Sequence, residues 1–416
     1  MIYSLIILGA GAAGLYAGAS LPSAKDVLIL EKGSHAGRKL LLTGNGQCNL
    51  THGGSIKDFI PHYGQNGGRI RTALYQHSNR AVIDFFESIG IKTLEREDGK
   101  VFPASLDAGE VVDSLVNKCS QNGITIHYSS PVIALEKSRD YFTVVCPDHR
   151  YQCKKVLVAT GGCSYPSTGS DGGIFPMLED LGIALIDRRP ALVPVFVREY
   201  PYASCAGITF KTAKLSILKK TKGAEAKAKI FETRGSLLLT HNGFSGPLVL
   251  DNSRYLSSGD RIRINYFPEK AEDCLADEFK RAAAQSKKQL ITLLAEFFRE
   301  SGAGSTAELP RRFLETLCVC CKIDPSIKAA QTPRQDLDKL LKRILRDEFT
   351  VERLGSLGSA MVTAGGVDLD EVDLKTMGSK RVPNLCFAGE VLDIDGDTGG
   401  YNLQFAFSSA YIAVNS

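Results

Sequence analysis

One stretch near the start, Leu5-Ile6-Ile7-Leu8-Gly9-Ala10-Gly11-Ala12-Ala13-Gly14, restricts the fold more tightly than any other. Its apolar run reads as a strand buried on both faces, as in a parallel sheet. A helix pattern begins at once, from about Ala12 to Ala19. Between them Gly9, Gly11 and Gly14 stand in G-x-G-x-x-G spacing. In that arrangement the first glycine turns the chain sharply. The second lets a pyrophosphate approach the backbone, and the third lets helix and strand pack closely. Unpaired N–H groups and the positive dipole end of the helix then face the phosphates. The spacing gains weight from its context. The next apolar run, Val27-Leu28-Ile29-Leu30, ends on Glu31, a carboxylate placed to accept both hydroxyls of an adenosine ribose. Together these residues define a dinucleotide site on a Rossmann-like α/β sheet.

A chain of 416 residues has room for two or three domains. A net charge of +4 is too mild to argue for nucleic acid or a membrane surface. The eleven cysteines are scattered and read as reduced thiols, so a cytoplasmic protein is expected. The apolar N-terminus lacks the basic start of a signal peptide, and no apolar run reaches the roughly 18 residues of a membrane span.

After Glu31 the chain turns basic and glycine-punctuated, from Lys32 through Gly37, Arg38, Lys39, Thr43, Gly44 and Gly46 to Cys48 and Asn49. Arg38 and Lys39 are suited to neutralise a pyrophosphate. Gly44 and Gly46 permit close backbone approach to a flat ring. Cys48 is a candidate thiol near that ring, set against the plainer reading of a buried packing residue. Helices are expected over 68–89 and from Ala108 to Gln121, and strands over 124–128, 131–137 and 141–146. Val132 begins the second of these strands, where its amide can read an adenine edge. Another buried strand, Val156–Val158, closes on Ala159, Thr160, Gly161 and Gly162 and should end beside the phosphate loop.

Near residue 189 the texture changes to short alternating stretches at Leu192–Val197, Thr212–Leu218, Ala228–Glu232 and Ser236–Thr240. The lysines between 219 and 229 read as a solvated hairpin tip, with RNA contact as the rarer alternative. His241, in a glycine-flanked turn, is a candidate proton donor. From about Glu272 to Asp347 the pattern is helical. Thr332-Pro333-Arg334-Gln335 reads as a capping box there, with proline at the first helical position. Cys318, Cys320 and Cys321 lack a partner cluster at zinc spacing and read as a packed helix face, so no metal is expected. The C-terminal strand Val382–Phe387 closes on Gly389 and Glu390. Gly399, Gly400, Tyr401, Asn402 and Leu403 then feed a final helix, Phe405–Val414. That helix start can face the electron-rich part of a bound flavin.

The stretches Gly9–Gly14 with Glu31, Gly37–Asn49, Ala159–Gly169, and Val362–Gly366 through Gly389–Gln404 resemble the BaiN-like (YhiN-like) FAD-dependent oxidoreductases, and Thr240–Pro247 resembles the insert-domain signature of that family. The resemblance implies an FAD domain in two segments, 1–188 and 356–416. A β-rich, barrel-like insert over 189–271 and a small helical insert over 272–355 would interrupt it. It also implies that Gly9 to Gly14, Glu31, Lys32, Arg38, Lys39, Gly44, Val132, Thr160, Gly161 and Gly399 to Leu403 line FAD. Gln47 departs from the family, in which many members carry arginine at that place. The expected activity is hydride transfer from reduced flavin to a conjugated C=C of an apolar carbonyl compound, with NAD(P)H docking transiently as donor and no nucleic acid involved. Two alternatives stand beside it: a flavin oxidase acting on an amine or aminoketone with O₂, and an RNA-associated flavoprotein.

Overall fold

In the computed structural model, which describes residues 2–24, 26–219, 229–301 and 309–416, the chain divides into two compact units. One joins Met1–Ala191 to Leu357–Ser416, and the other is Leu192–Ser356. The tip of the lysine-rich hairpin, residues 220–228, lies outside the described residues.

In the first unit, strand Ile2–Leu8 sits at the parallel centre of a mixed nine-stranded sheet. It pairs in parallel with Val27–Leu30 on one side and with Arg150–Val158 on the other. Thr125–His127 extends the first side, and Leu385–Phe387 extends the second. Ile6, Ile7, Leu28, Ile29, Val156 and Leu157 are wholly buried, which is why these strands read as unbroken apolar runs. The chain leaves Ile2–Leu8 toward one neighbour through helix Ala12–Ser20, while Arg150–Val158 lies on the opposite side. That reversal opens a crevice at the carboxyl ends of the two strands, the place where such sheets bind ligands.

The last helix, Tyr401–Asn415, starts four residues earlier than its apolar pattern suggests and is buried nearly all round. Its polar residues survive burial because each is paired. Thr51 Oγ1 donates to Gln404 Oε1 at 2.5 Å, and Ser408 Oγ donates to the His77 carbonyl at 2.7 Å. Tyr16 of the first helix stacks on Phe407 at 4.7 Å, so the two helices that start at glycine loops pack on one another.

The second unit is a closed antiparallel barrel of six strands with helices. Leu215, Ile217, Leu237, Ile264 and Val351 fill it, and the same core continues into helices Glu272–Gln285, Leu290–Ser301, Arg311–Cys320 and Arg334–Leu345. The last barrel strand, Asp347–Leu354, follows these helices in the chain. The stretches read separately at 228–232 and 236–240 belong to one strand, Lys229–Leu239. Gly235 does not break it; it lies close under Leu248, where a Cβ would stand 3.4 Å from the Leu248 side chain. The capping box at 332–335 does not form. Pro333 occupies the N-cap with no side-chain bond, and Thr332 Oγ1 bonds the Lys328 carbonyl instead. All eleven cysteines are free, including Cys318 and Cys321, which stand at C-x-x-C spacing. No described helix is long and apolar enough to cross a membrane.

Each unit buries one titratable group with consequences for stability. His77 meets Tyr16 Oη through Nε2 at 2.7 Å and stacks on Tyr411, and burial lowers its imidazole from 6.5 to about 4. The unfolded chain therefore binds a proton in that window which the folded chain refuses. The contribution is fully present above 6.5 and is lost as pH falls toward 4, by roughly 3 kcal/mol at most. Asp347 works in the opposite sense. Burial raises its carboxyl to about 6 despite Arg343 at 2.8 Å, so stability falls as pH rises through that range. The variant His77→Gln keeps the Asp347 contribution and removes that of His77. Its unfolding free energy in urea is expected to fall less steeply between about pH 7 and 4.5, by up to about 1.4 kcal/mol per pH unit. Equal slopes for the two proteins would refute the assignment.

Candidate functional site

The three glycines of the first turn have distinct roles. Gly9 sits at φ +99°, and a Cβ there would lie 2.7 Å from the Ala159 carbonyl oxygen. A Cβ on Gly14 would lie 1.9 Å from the Gly9 oxygen, so only glycine allows helix and strand to approach this closely. At Gly11 nothing lies within 4 Å of the Cβ position. Two glycines serve packing and the third keeps space open at a helix start that no side chain caps, where Ala12 and Ala13 begin the first turn. Glu31 is fixed beside that space: its carboxylate accepts from the Ala10 N–H at 2.8 Å and the Gly33 N–H at 2.7 Å. Gly37, at φ +68°, donates its N–H to the Ala10 carbonyl at 2.8 Å. Val132 lies in a loop before the strand Ala134–Lys137. On the neighbouring sheet strand, the Ala159 N–H donates to Leu8 O, Gly161 takes φ +76°, and Thr160 Oγ1 is buried with no partner among the described residues. An open glycine, an uncapped helix start and a held carboxylate fit the diphosphate and ribose of a dinucleotide.

The three cations of the following segment are tied to protein partners. Lys32 pairs with Asp171 at 2.7 Å, and Arg38 donates to the Ser167 carbonyl at 2.7 Å. Lys39 Nζ reaches both Glu390 Oε2 and Ser164 Oγ at 2.5 Å. Glu390 Oε1 in turn accepts from Ser164 Oγ at 2.6 Å and from the Thr363 N–H at 2.9 Å. The Lys39–Glu390 pair and the hydrogen bonds to Glu390 thus fasten four separated chain segments together.

The third part of the site is the C-terminal glycine loop. Gly399 and Gly400 take φ of +119° and +98°, and a Cβ on Gly400 would lie 2.5 Å from Thr51 O. Asn49, in the amide orientation that satisfies its neighbours, accepts from the Gly400 N–H at 3.0 Å and donates to the Thr51 and Val101 carbonyls. Thr43 Oγ1 donates to Leu40 O at 2.6 Å, next to Gly44 at φ +57°. The Gly389 N–H donates to Ser409 Oγ at 2.9 Å. Asn402 exchanges two bonds of 2.8 Å with the backbone of Gly396, and Leu403 follows on the same first turn, half-buried. Tyr401 is buried, its ring stacked between His62 at 4.0 Å and His52 at 5.4 Å. The first unit therefore gathers every nucleotide candidate named from the sequence.

Neither proton-donor candidate gains from its placement. Cys48 is fully buried, and desolvation pushes its thiol up to about 12, which suits packing. His241 is exposed in a turn of the second unit, between strands Lys229–Leu239 and Gly243–Ser245. Gln47 accepts from Arg96 at 2.7 Å, so a guanidinium reaches that place from elsewhere in the chain. Sequence reasoning missed Ser164 and Thr363 on Glu390, and His62 on Asp397. Ser164 and His62 lie hundreds of positions from their partners and Thr363 lies 27 positions from Glu390, and no local spacing announces any of them. Among the described residues no group of three or more His, Cys, Asp or Glu could hold a metal ion.

This geometry is that of a Rossmann-type nucleotide-binding domain. The HI0933-like protein Rossmann domain matches residues 3–416, and the chain belongs to that family of FAD-binding proteins, which includes the BaiN-like (YhiN-like) members. It is 31% identical over 417 residues to the ribosomal RNA dihydrouridine synthase of Escherichia coli (strain K12), covering 98% of this chain and 96% of that one. It is 33% identical over 413 residues to the protein of the same name from Haemophilus influenzae, with the same coverages. A 3-dehydro-bile acid delta(4,6)-reductase from Clostridium scindens is 29% identical over 417 residues, covering 98% of this chain and 97% of that one.

The glycine geometry yields a paired prediction. Gly14→Ala should destabilise the fold by more than about 2 kcal/mol, because a backbone oxygen occupies the Cβ position. Gly11→Ala should melt within about 2 °C of the parent without cofactor, yet bind FAD at least about tenfold more weakly, since the lost space is ligand space. Thermal melts of the apoprotein and FAD titrations check both. Unaltered FAD affinity in Gly11→Ala would remove the phosphate loop from the site.

Proposed function

We propose that this protein is an FAD-dependent reductase that saturates a carbon–carbon double bond conjugated to a carbonyl, and that its substrate is a uracil base carried in RNA. The observation that carries the reading is the near-full-length match to relatives whose names describe one kind of bond. Dihydrouridine arises by saturating C5=C6 of uracil, which is conjugated to the C4 carbonyl. A bile-acid delta(4,6)-reductase saturates double bonds of a dienone. FAD, when bound, supplies the hydride from its reduced N5. The chain's own part is to hold the nucleotide through Glu31 and the uncapped helix start, and to set the helix start at Tyr401 against the electron-rich side of the ring.

An RNA substrate replaces the expectation of an apolar small molecule with no nucleic acid. Five lysines between positions 219 and 229 support it, because phosphate attraction adds with each cation. The apolar dienone remains the second reading, favoured by the relative from C. scindens. NAD(P)H is the proposed donor, docking without a second Rossmann domain.

Anaerobic stopped-flow absorbance tests the reading in two stages. NADH or NADPH should bleach the bound flavin. The reduced protein should then be reoxidised at least about tenfold faster by an RNA fragment containing the target uridine than by a 3-oxo-4,6-dienoic steroid, and nucleoside mass spectrometry should show a uridine that has gained two hydrogens. Faster reoxidation by the steroid would select the second reading. Rapid reoxidation by O₂ alone, with no change in either substrate, would select an oxidase.

A further inference from the structure

Saturating such a bond needs a proton as well as a hydride, and the chain has seven histidines from which to choose. Most are already committed. His77 is buried and held neutral, and both ring nitrogens of His52 face carbonyl oxygens, of Gly53 and Asp98, at 3.1 Å. His127 meets Tyr151 Oη at 3.0 Å, and His35 meets Ser34 Oγ at 2.8 Å.

His62 differs from these in meeting a carboxylate. Its Nδ1 lies 2.9 Å from Asp397 Oδ2, and the Asp397 N–H donates back to the His62 carbonyl at 2.9 Å. The ring lies flat on Tyr401, with 13° between the planes, while its side chain stays 39% exposed. Nε2 makes no hydrogen bond among the described residues. A carboxylate that accepts from Nδ1–H fixes the tautomer and orientation of the ring and leaves Nε2 as the nitrogen that can exchange a proton. Asn402 donates to the Asp397 carbonyl at 3.3 Å, so the loop that holds the dyad is the glycine loop that opens the last helix. A half-exposed, oriented imidazole therefore stands against Tyr401, within the segment assigned to the flavin.

We propose that His62, oriented by Asp397, delivers the proton that completes reduction of the substrate; the assignment rests on the reductase reading above. The hydride adds to the carbon β to the carbonyl, and the π electron pair moves toward the α carbon. The Nε2–H bond of His62 breaks as the α carbon takes the proton. The substrate gains two hydrogens, the two electrons come from reduced flavin, and water reprotonates the exposed imidazole. Asp397 is a positioning residue in this step.

The test compares two acceptors on reduced, FAD-loaded protein. Ferricyanide takes electrons and forms no C–H bond, whereas the unsaturated substrate needs both. His62→Gln should keep its flavin spectrum and reoxidise with ferricyanide within about twofold of the parent, but react with the unsaturated substrate at least about 10²-fold more slowly. Asp397→Asn should show the same selectivity with a smaller loss. An unchanged rate with the unsaturated substrate overturns the assignment. Equal slowing with both acceptors also overturns it, because it would mark a structural role beside the flavin. Parent protein that reacts with ferricyanide but with neither RNA nor the dienone overturns the reductase reading itself, and the proton donor with it.

Discussion

Contact between the first helix and the first strand fixes the rest of the first unit. The Cβ position of Gly14 falls 1.9 Å from the Gly9 oxygen, a separation no side chain can occupy. Because helix Ala12–Ser20 can lie that close, its first turn opens at the carboxyl end of Ile2–Leu8, where Arg150–Val158 also ends. The crevice, the uncapped N–H groups and the open face of Gly11 all follow from this approach. The second glycine-led helix depends on it too, since Tyr401–Asn415 packs on the first through the Tyr16–Phe407 stack.

Around this frame, polar groups bind together segments that the chain keeps far apart. Lys39 and Glu390 are separated by 351 positions, and their side chains are 23% and 19% exposed. An ion pair so far withdrawn from water gains little from charge attraction alone, because desolvation offsets it. Its value here is geometric. Glu390 also accepts from Ser164 and Thr363, so one carboxylate sets the spacing of three loops. His62 and Asp397, 335 positions apart, do the same for the glycine loop before Tyr401.

The parts of the site legible in the sequence were those with strict backbone demands. Glycine spacing, an apolar run ending on Glu31 and paired glycines before a helix all reflect conformations that few residues can adopt. Parts that depend on side chains meeting across the fold were not legible. Arg38 and Lys39 read as phosphate ligands because they lie near the phosphate loop in sequence. In the fold Arg38 donates to the Ser167 carbonyl and Lys39 to Ser164 and Glu390. Cys48 and His241 drew attention as residue types in suggestive loops, whereas burial of the one and placement of the other became visible only in three dimensions. His62 gave no signal, because an imidazole acquires its role from the carboxylate it meets.

By itself, the sequence determined the parallel centre of the sheet, the glycine turn into the first helix and the alternation that becomes a barrel, because each is dictated by local steric and burial patterns of period two or of fixed glycine spacing. Tertiary structure alone decided that barrel and helices share one core, with Asp347–Leu354 closing the barrel after the helices have passed. It also decided which charges face one another and which histidine meets a carboxylate. Those outcomes depend on distances between residues hundreds of positions apart, and such distances exist only once the hydrophobic cores have closed.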